Sequence, residues 1–414
     1  MRSDNASGQS ARCAPAGRGN LHLLDGMVLR VFASALQHTH RGRLRLTMPS
    51  GRSAVLGQPD IGIDASHIVN SYAALWKCVR RGALGFAEGY MSREIETDSL
   101  HNLFNYYFDN GAALTAANRC LQRSSWRDRW FHSRRANTRS GSRRNIAAHY
   151  DLGNEFYRLW LDPGLTYSSG IYTGPQATLE AAQAEKYERI LAALDLSGGH
   201  KLLEIGCGWG GFAEAAAVRG AHVTGITISR EQFDEASARA ARKTLNGHVQ
   251  IRFEDYRETS GAYDRIASIE MIEAVGEDNW PAYFDVIRER LKPGGVAVLQ
   301  AITIRPDLYQ IYRDNPDFIQ HYIFPGGMLP TVEAMRRQSE AAGLIFDEVE
   351  TFGASYARTL ADWRRRFDEA WPRIEALGFD DRFRRMWHYY LAYCEVGFER
   401  GTIDVGLYRL RKPS

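Results

Sequence analysis

Lys201-Leu-Leu-Glu-Ile-Gly-Cys-Gly-Trp-Gly-Gly211 carries an apolar strand through an acid into closely spaced glycines. Such a turn opens the edge of a parallel sheet to a nucleotide-like ligand, because glycine lets the backbone approach phosphate, ribose or amino-acid groups closely. Gly206, Gly208 and Gly211 satisfy GxGxxG, a pattern that dinucleotide and S-adenosylmethionine (SAM) sites share. The loop alone leaves both open.

Working outward, the chain alternates strand and helix: strand 201–205, helix 210–219, strand 221–226, helix 230–244, strands 249–253 and 264–270, helix 279–291 and strand 296–302. Alternation of this kind predicts an α/β fold with a doubly wound parallel sheet. Ligands on such sheets sit beyond the carboxyl ends of the strands, where strand order reverses.

The 414 residues predict two domains. A tail is expected over 1–20, a small α+β domain over 21–118, a basic aromatic linker over 119–145 and the ligand-binding domain over 146–414. The small domain opens on a hairpin at 43–48 and 53–56, with a third strand near 61–63 and helices near 66–81 and 98–118. Gly82–Met91, interrupted by glycine, reads as a packed turn or a lipid-contacting surface. The hairpin edge is one a homodimer would use.

Composition is that of a soluble globular protein, 44% hydrophobic and 24% charged with net charge +3. No run reaches the roughly 20 apolar residues of a membrane span, and the first twenty residues lack a signal-peptide core. Cys13, Cys78, Cys120, Cys207 and Cys394 stand far apart, so neither a disulfide framework nor a metal site is expected. A cytoplasmic protein fits. Between Arg119 and Arg144 stand nine arginines against one acid, Asp128, with Trp126, Trp130 and Phe131 interleaved. RNA attracts such residues too, but arginine with tryptophan suits an anionic bilayer surface, so peripheral membrane association is expected and nucleic acid is not.

A nicotinamide enzyme wants an acid about 20 residues past the loop for the ribose. Here the second strand ends in Gly225-Ile-Thr227-Ile-Ser229, with Gln232 one turn on. Thr227, Ser229 and Gln232 supply hydrogen bonds without a negative charge, and Glu204 suits a cationic ligand. Asp255 would accept from an adenine amino group while Tyr256 covers the ring. Each has a plainer reading as a cap or a turn residue. In order, at successive strand ends, they point to SAM.

The surrounding residues resemble the cyclopropane fatty acid synthase and mycolic acid methyltransferase family. The signposts are His149-Tyr-Asp-Leu-Gly-Asn154, Leu165-Thr-Tyr-Ser-Ser169, the glycine loop, Thr227-Ile-Ser229, Met271-Ile-Glu273-Ala-Val-Gly276, Tyr322-Ile-Phe-Pro-Gly-Gly327 and Phe352-Gly-Ala-Ser-Tyr356. The resemblance covers roughly 145–411, and the small domain resembles the one preceding the bacterial phospholipid enzymes. It implies transfer of a one-carbon unit from SAM to the cis double bond of an unsaturated acyl chain of a membrane phospholipid. A cyclopropane is the implied product. The alternatives are a methyl-branched or methylene product, and methylation of a small-molecule amine.

The resemblance also implies site residues. Tyr167 and Ser168 would join Glu204, Gly206 and Gly208 around the cofactor. In the family a bicarbonate ion is the base, held by a backbone amide and by Cys, Glu, His and Tyr side chains. Here Glu273, Tyr356 and the amide of Ile302 fill three of those places. Ser169 stands where Cys is expected and Gln300 where His is, so the imidazole is lost, although a hydroxyl and an amide still donate. Glu273 beside an anion is then expected to be protonated or bridged by Tyr356. Tyr309, Tyr312, Phe318, Tyr322 and Phe324 are candidates to line an acyl tunnel.

Overall fold

The computed structural model describes residues 25–30, 41–57, 62–111, 152–245 and 247–414. The expected tail, the basic linker and the start of the His149–Asn154 motif lie outside them. The chain divides into two units, with boundaries at Leu75/Trp76 and Ser92/Arg93. The segment 76–92, expected in the small domain, therefore belongs to the unit that carries the glycine loop.

In the smaller unit, strands β1 (Arg43–Thr47), β2 (Ser53–Gly57), β3 (Asp64–Val69) and β4 (Ile95–Glu96) lie in the order β2-β1-β3-β4. The hairpin forms as expected, but the third strand is Asp64–Val69, and helix begins only at Tyr72. Insertion between β1 and β4 overrides the helical reading of 66–69, because Ala65, Ser66, His67 and Val69 become buried there. The helix Leu100–Asp109 starts on Ser99, whose hydroxyl accepts from the amide of Asn102.

The helix Tyr72–Met91 runs through the glycines that read as a turn. Gly82 (φ 55°, ψ −130°) kinks it, and a Cβ on Gly85 would lie 2.0 Å from the carbonyl oxygen of Lys77. The glycines thus serve a bend followed by close backbone packing. Leu84, Ala87, Tyr90 and Met91 are buried, so most of 82–91 is core, not lipid-facing surface.

The larger unit is an α/β fold around a seven-stranded sheet. Its strands are β5 (Lys201–Ile205), β6 (His222–Thr227), β7 (Val249–Phe253), β8 (Tyr263–Ile269), β9 (Leu291–Ile304), β10 (Ile345–Thr351) and β11 (Ile403–Arg411), in the order β10-β11-β9-β8-β5-β6-β7. The five from β5 to β9 are parallel and β11 is antiparallel to both its neighbours. Val296 to Ala301 are continuously buried, as a strand covered on both faces must be. Chain order reverses beside β5. The loop following it therefore sits at the switch point.

Candidate active site

Gly206, Gly208 and Gly210 have φ of 78°, 51° and 83°, a region that β-carbon-bearing residues avoid. The amides of Gly206 and Cys207 both donate to the carbonyl of Ile226 at 3.0 Å. The buried Trp209 donates its indole N–H to Asn154 Oδ1 at 2.6 Å, which ties the loop to the helix Asn154–Arg158. A Cβ on Gly208 would meet nothing within 4 Å. The loop therefore presents bare backbone to open space. Beneath it Glu204 is 2% exposed, and its Oε2 has no hydrogen-bond partner among the described residues. Burial raises its pKa well above the usual range, against the pull of Lys186. An unpaired acid oxygen under an open glycine cradle fits the cationic ammonium and sulfonium of SAM.

Thr227, Ser229 and Gln232 are buried and bonded to one another: Thr227 Oγ1 donates to Gln232 Oε1 at 2.8 Å and accepts from the Ser229 amide at 3.2 Å. Ser229 also caps the helix Arg230–Arg242 by accepting from the Gln232 amide. Asp255 caps the turn Tyr256–Glu258 and pairs with Arg257 at 2.7 Å, so both its oxygens are engaged. The ring of Tyr256 packs edge-on against Tyr283 at 5.6 Å, and its buried hydroxyl is unpaired among the described residues.

The residues expected around an anion do converge, but on a side chain of the protein. Glu270 Oε1 accepts from the amide of Ser169 at 2.8 Å and from Gln300 Nε2 at 2.7 Å; Oε2 accepts from the Tyr356 hydroxyl at 2.6 Å. Glu270 escaped the sequence reading. Its signal was a second acid at the carboxyl end of β8, three residues before Glu273, where sheet ligands bind. It adopts φ 49°, so its backbone is held in the left-handed region that favours glycine.

This cage departs from two expectations, for Ser169 and for bicarbonate, and selects the protonated alternative for Glu273. The Ser169 hydroxyl donates to the carbonyl of Gly170 at 2.9 Å, and its backbone amide serves the cage instead. Tyr356 bonds Glu270 and leaves Glu273 unbridged. A bicarbonate does not fit, because the Glu270 carboxylate already occupies the donors that would hold it. The Ile302 amide donates to Glu273 Oε1 at 2.5 Å, while Glu273 Oε2 is buried without a partner among the described residues. Burial, then the charge of Glu270, push Glu273 up to about 8, so it is mostly protonated at neutral pH. Burial also raises Glu270, opposed by Tyr356, the Ser169 amide, Lys186 and Gln300.

Aromatic rings wall the cage. The Tyr167 and Tyr390 hydroxyls are hydrogen-bonded at 2.9 Å, Tyr167 packs on Trp363 at 5.3 Å, and Tyr356 stacks on Phe398 at 4.3 Å. Of the expected tunnel residues, Phe324 lies edge-on to Tyr390 at 6.3 Å and Phe318 is buried against Tyr389 at 4.4 Å. Tyr309 and Tyr322 are tied elsewhere, to Glu277 at 3.0 Å and Glu88 at 2.7 Å. The burial of Tyr312 sets its hydroxyl well above the usual range, with Asp317 the nearest charge in effect.

Sheet order, switch-point glycine loop and unpaired acid together define a SAM-dependent methyltransferase. Residues 137–407 match the family model for mycolic acid cyclopropane synthetase, and the chain belongs to that family. It is 38% identical over 343 residues to the tuberculostearic acid methyltransferase UfaA1 of Mycobacterium tuberculosis, covering 79% of this chain and 78% of that protein. To the cyclopropane-fatty-acyl-phospholipid synthase of Escherichia coli K12 it is 36% identical over 335 residues, 80% and 83% of the two chains. The crystal structure of the mycolic acid cyclopropane synthase CmaA1 with SAH and CTAB superposes at a TM-score of 0.61 with 29% identity, covering 65% of this chain and 98% of that one. The enzyme is thus a SAM-dependent methyltransferase of the fatty-acid-modifying kind. Among the described residues no helix is long and apolar enough to cross a membrane.

Proposed function

We propose that this enzyme adds the methyl carbon of SAM to the cis double bond of an unsaturated acyl chain of a membrane phospholipid, with Glu270 as the resident base. The observation that carries this is the cage: a buried carboxylate held by Ser169, Gln300 and Tyr356 where relatives are expected to hold a free anion. SAM, when bound, supplies an electrophilic methyl on a sulfonium. Glu204 and the glycine loop would hold that reagent, Tyr167 and Ser168 belong to the segment that gives the Ser169 amide to the cage, and the aromatic wall would exclude water from the alkene. The alkene π pair forms the new C–C bond as the S–C bond breaks, its electrons staying on sulfur. The cation left on the chain then loses a proton. Glu270 Oε2, which among the described residues accepts only from Tyr356, retains a lone pair to take it.

The product depends on when that proton leaves. Loss from the new methyl before the charge moves closes a cyclopropane, as the family resemblance implies. Loss from the methyl after a 1,2-hydride shift from the methyl-bearing carbon to its cationic neighbour, which moves the charge onto the methyl-bearing carbon, leaves a methylene branch. Glu270 is fixed by its own main chain and three donors and cannot follow the methyl, which slows proton removal and favours the open-chain outcome. The relative named a methyltransferase supports the same reading, and the one named a cyclopropane-fatty-acyl-phospholipid synthase supports the ring. Lipids from cells expressing the protein test both levels by mass spectrometry. An unsaturated chain gains one CH2; after hydrogenation a methylene branch takes up H2 and a ring does not. No gain in any unsaturated chain would sink the reaction itself.

Substrate in a bilayer requires a surface contact, and the Arg/Trp run at 119–144 supplies charge and interfacial rings. Replacing Arg134, Arg135, Arg143 and Arg144 by Ala is expected to weaken cosedimentation with phosphatidylglycerol vesicles at low salt. Undiminished binding removes the linker from the reaction path.

A further inference from the structure

The helix Leu179–Ala193 carries a charged group that the reaction scheme leaves unused. Lys186 is 0% exposed, yet it forms no ion pair within 4 Å of a carboxylate among the described residues. Its one hydrogen bond there runs from Nζ to Ser168 Oγ at 2.7 Å. A buried ammonium with one of three donors used is costly, and proteins retain such a group only where its charge is balanced nearby. The balancing charges are Glu270, Asp162 and Glu204, in that order of influence.

The same helix anchors the segment that donates to the base. Gln183 Nε2 donates to the Ser168 carbonyl at 2.8 Å, and the Tyr187 hydroxyl lies 3.1 Å from Thr166 Oγ1. The Ser169 amide, one residue on, is a Glu270 donor. Lys186 is therefore linked to the base twice, through the main chain of 168–169 and through space.

We propose that Lys186 is the positioning residue of the base: it holds Ser168–Ser169 against Glu270 and is the buried counter-ion that keeps Glu270 ionised while Glu273 stays protonated. This rests on the reading of Glu270 as base. The groups facing Glu270 among the described residues are Lys186 from its helix, the Ser169 amide, Gln300 from β9, Tyr356 from the helix Gly353–Ala376, Tyr390 from the helix Asp381–Glu399, and Glu273 on its own segment. Only Lys186 among them is a cation. Glu204 and Asp162 share its field, and the Tyr187 ring lies 4.8 Å from Nζ.

The sign follows. Burial raises the Glu270 pKa and Lys186 lowers it, so removing the charge moves Glu270 further up. A base must be ionised, so the acid limb of kcat/KM moves to higher pH. The test measures labelled methyl transfer from SAM into dioleoylphosphatidylglycerol vesicles against pH with the full chain. Lys186→Gln is expected to shift the acid limb up by about 1 unit or more, regaining activity at alkaline pH. Lys186→Arg, which keeps the charge, is expected to leave the limb where wild type has it. A limb unmoved in Lys186→Gln, with the rate lowered equally at every pH, would make the role merely structural and overturn the proposal. Should Lys186→Gln fail to bind SAM by calorimetry, a limb displaced upward in Lys186→Arg overturns it equally. Glu270→Gln separates the two readings: an acid limb that persists in that variant refutes Glu270 as base, whatever Lys186 does.

Discussion

Replacing Glu270 by Gln is expected to lower kcat by about 10²–10⁴-fold, the range for removing a positioned general base, while SAM affinity stays within a few-fold. Gln matches Glu in size, so the packing against Ser169, Gln300 and Tyr356 survives. It cannot take a proton, and its NH2 confronts donors where Oε1 or Oε2 had accepted. Glu270→Gly provides the complement. At φ 49° a glycine relieves backbone strain, and removing the side chain frees three donors around a space the size of a small carboxylate. Added formate or bicarbonate is then expected to restore turnover in proportion to its concentration, with no effect on wild type. Turnover in Glu270→Gln within about threefold of wild type, above the 10²-fold floor of base removal, would exclude Glu270 as the base.

The second large effect is structural. Trp160 is fully buried, with ring contacts to Phe156 at 5.7 Å, Tyr157 at 5.8 Å, Tyr167 at 5.7 Å, Trp363 at 5.7 Å and Trp387 at 6.0 Å. It joins the helix Asn154–Arg158 to Tyr167 and to the helices Gly353–Ala376 and Asp381–Glu399. Trp160→Ala is expected to cost about 3–5 kcal/mol, transfer and cavity together. Its indole N–H has no partner among the described residues, so no hydrogen bond to them is lost with it. Tyr167 would lose a wall, and SAM affinity should fall with stability. Trp160→Phe, which keeps a ring in the cavity, is expected to recover most of both. Denaturant unfolding and calorimetry read the two effects separately. A loss below about 1 kcal/mol in Trp160→Ala, the level of an ordinary surface change, would show that the aromatic cluster does not bind these elements together.

Much of the larger unit was legible because its signals are local. Gly206, Gly208 and Gly210 require φ values that glycine alone adopts readily, and Ser229 three residues before Gln232 spells a helix cap. The alternation of apolar strands with capped helices fixes a parallel sheet without any long-range information. The smaller unit was harder to read. Asp64–Val69 is a strand because β1 and β4 flank it, and no periodicity in those six residues announces that pairing.

The chemistry divides along the same line. Residue types at strand ends identified the methyl donor, since Glu204 without an acid at the end of β6 disfavours a nicotinamide whatever the packing. Glu273, Tyr356, Gln300 and Ser169 were recognisable as a group, yet their centre was not among them. That Glu270 occupies the cage depends on segments 30 to 101 residues apart in the chain meeting at one carboxylate, and on a left-handed turn that aims it inward. Sequence determines which groups are available, because residue identity sets charge, donors and backbone freedom. Only the tertiary structure decided which acid takes the donors and which stays protonated, because burial and the charges around each side chain set those energies.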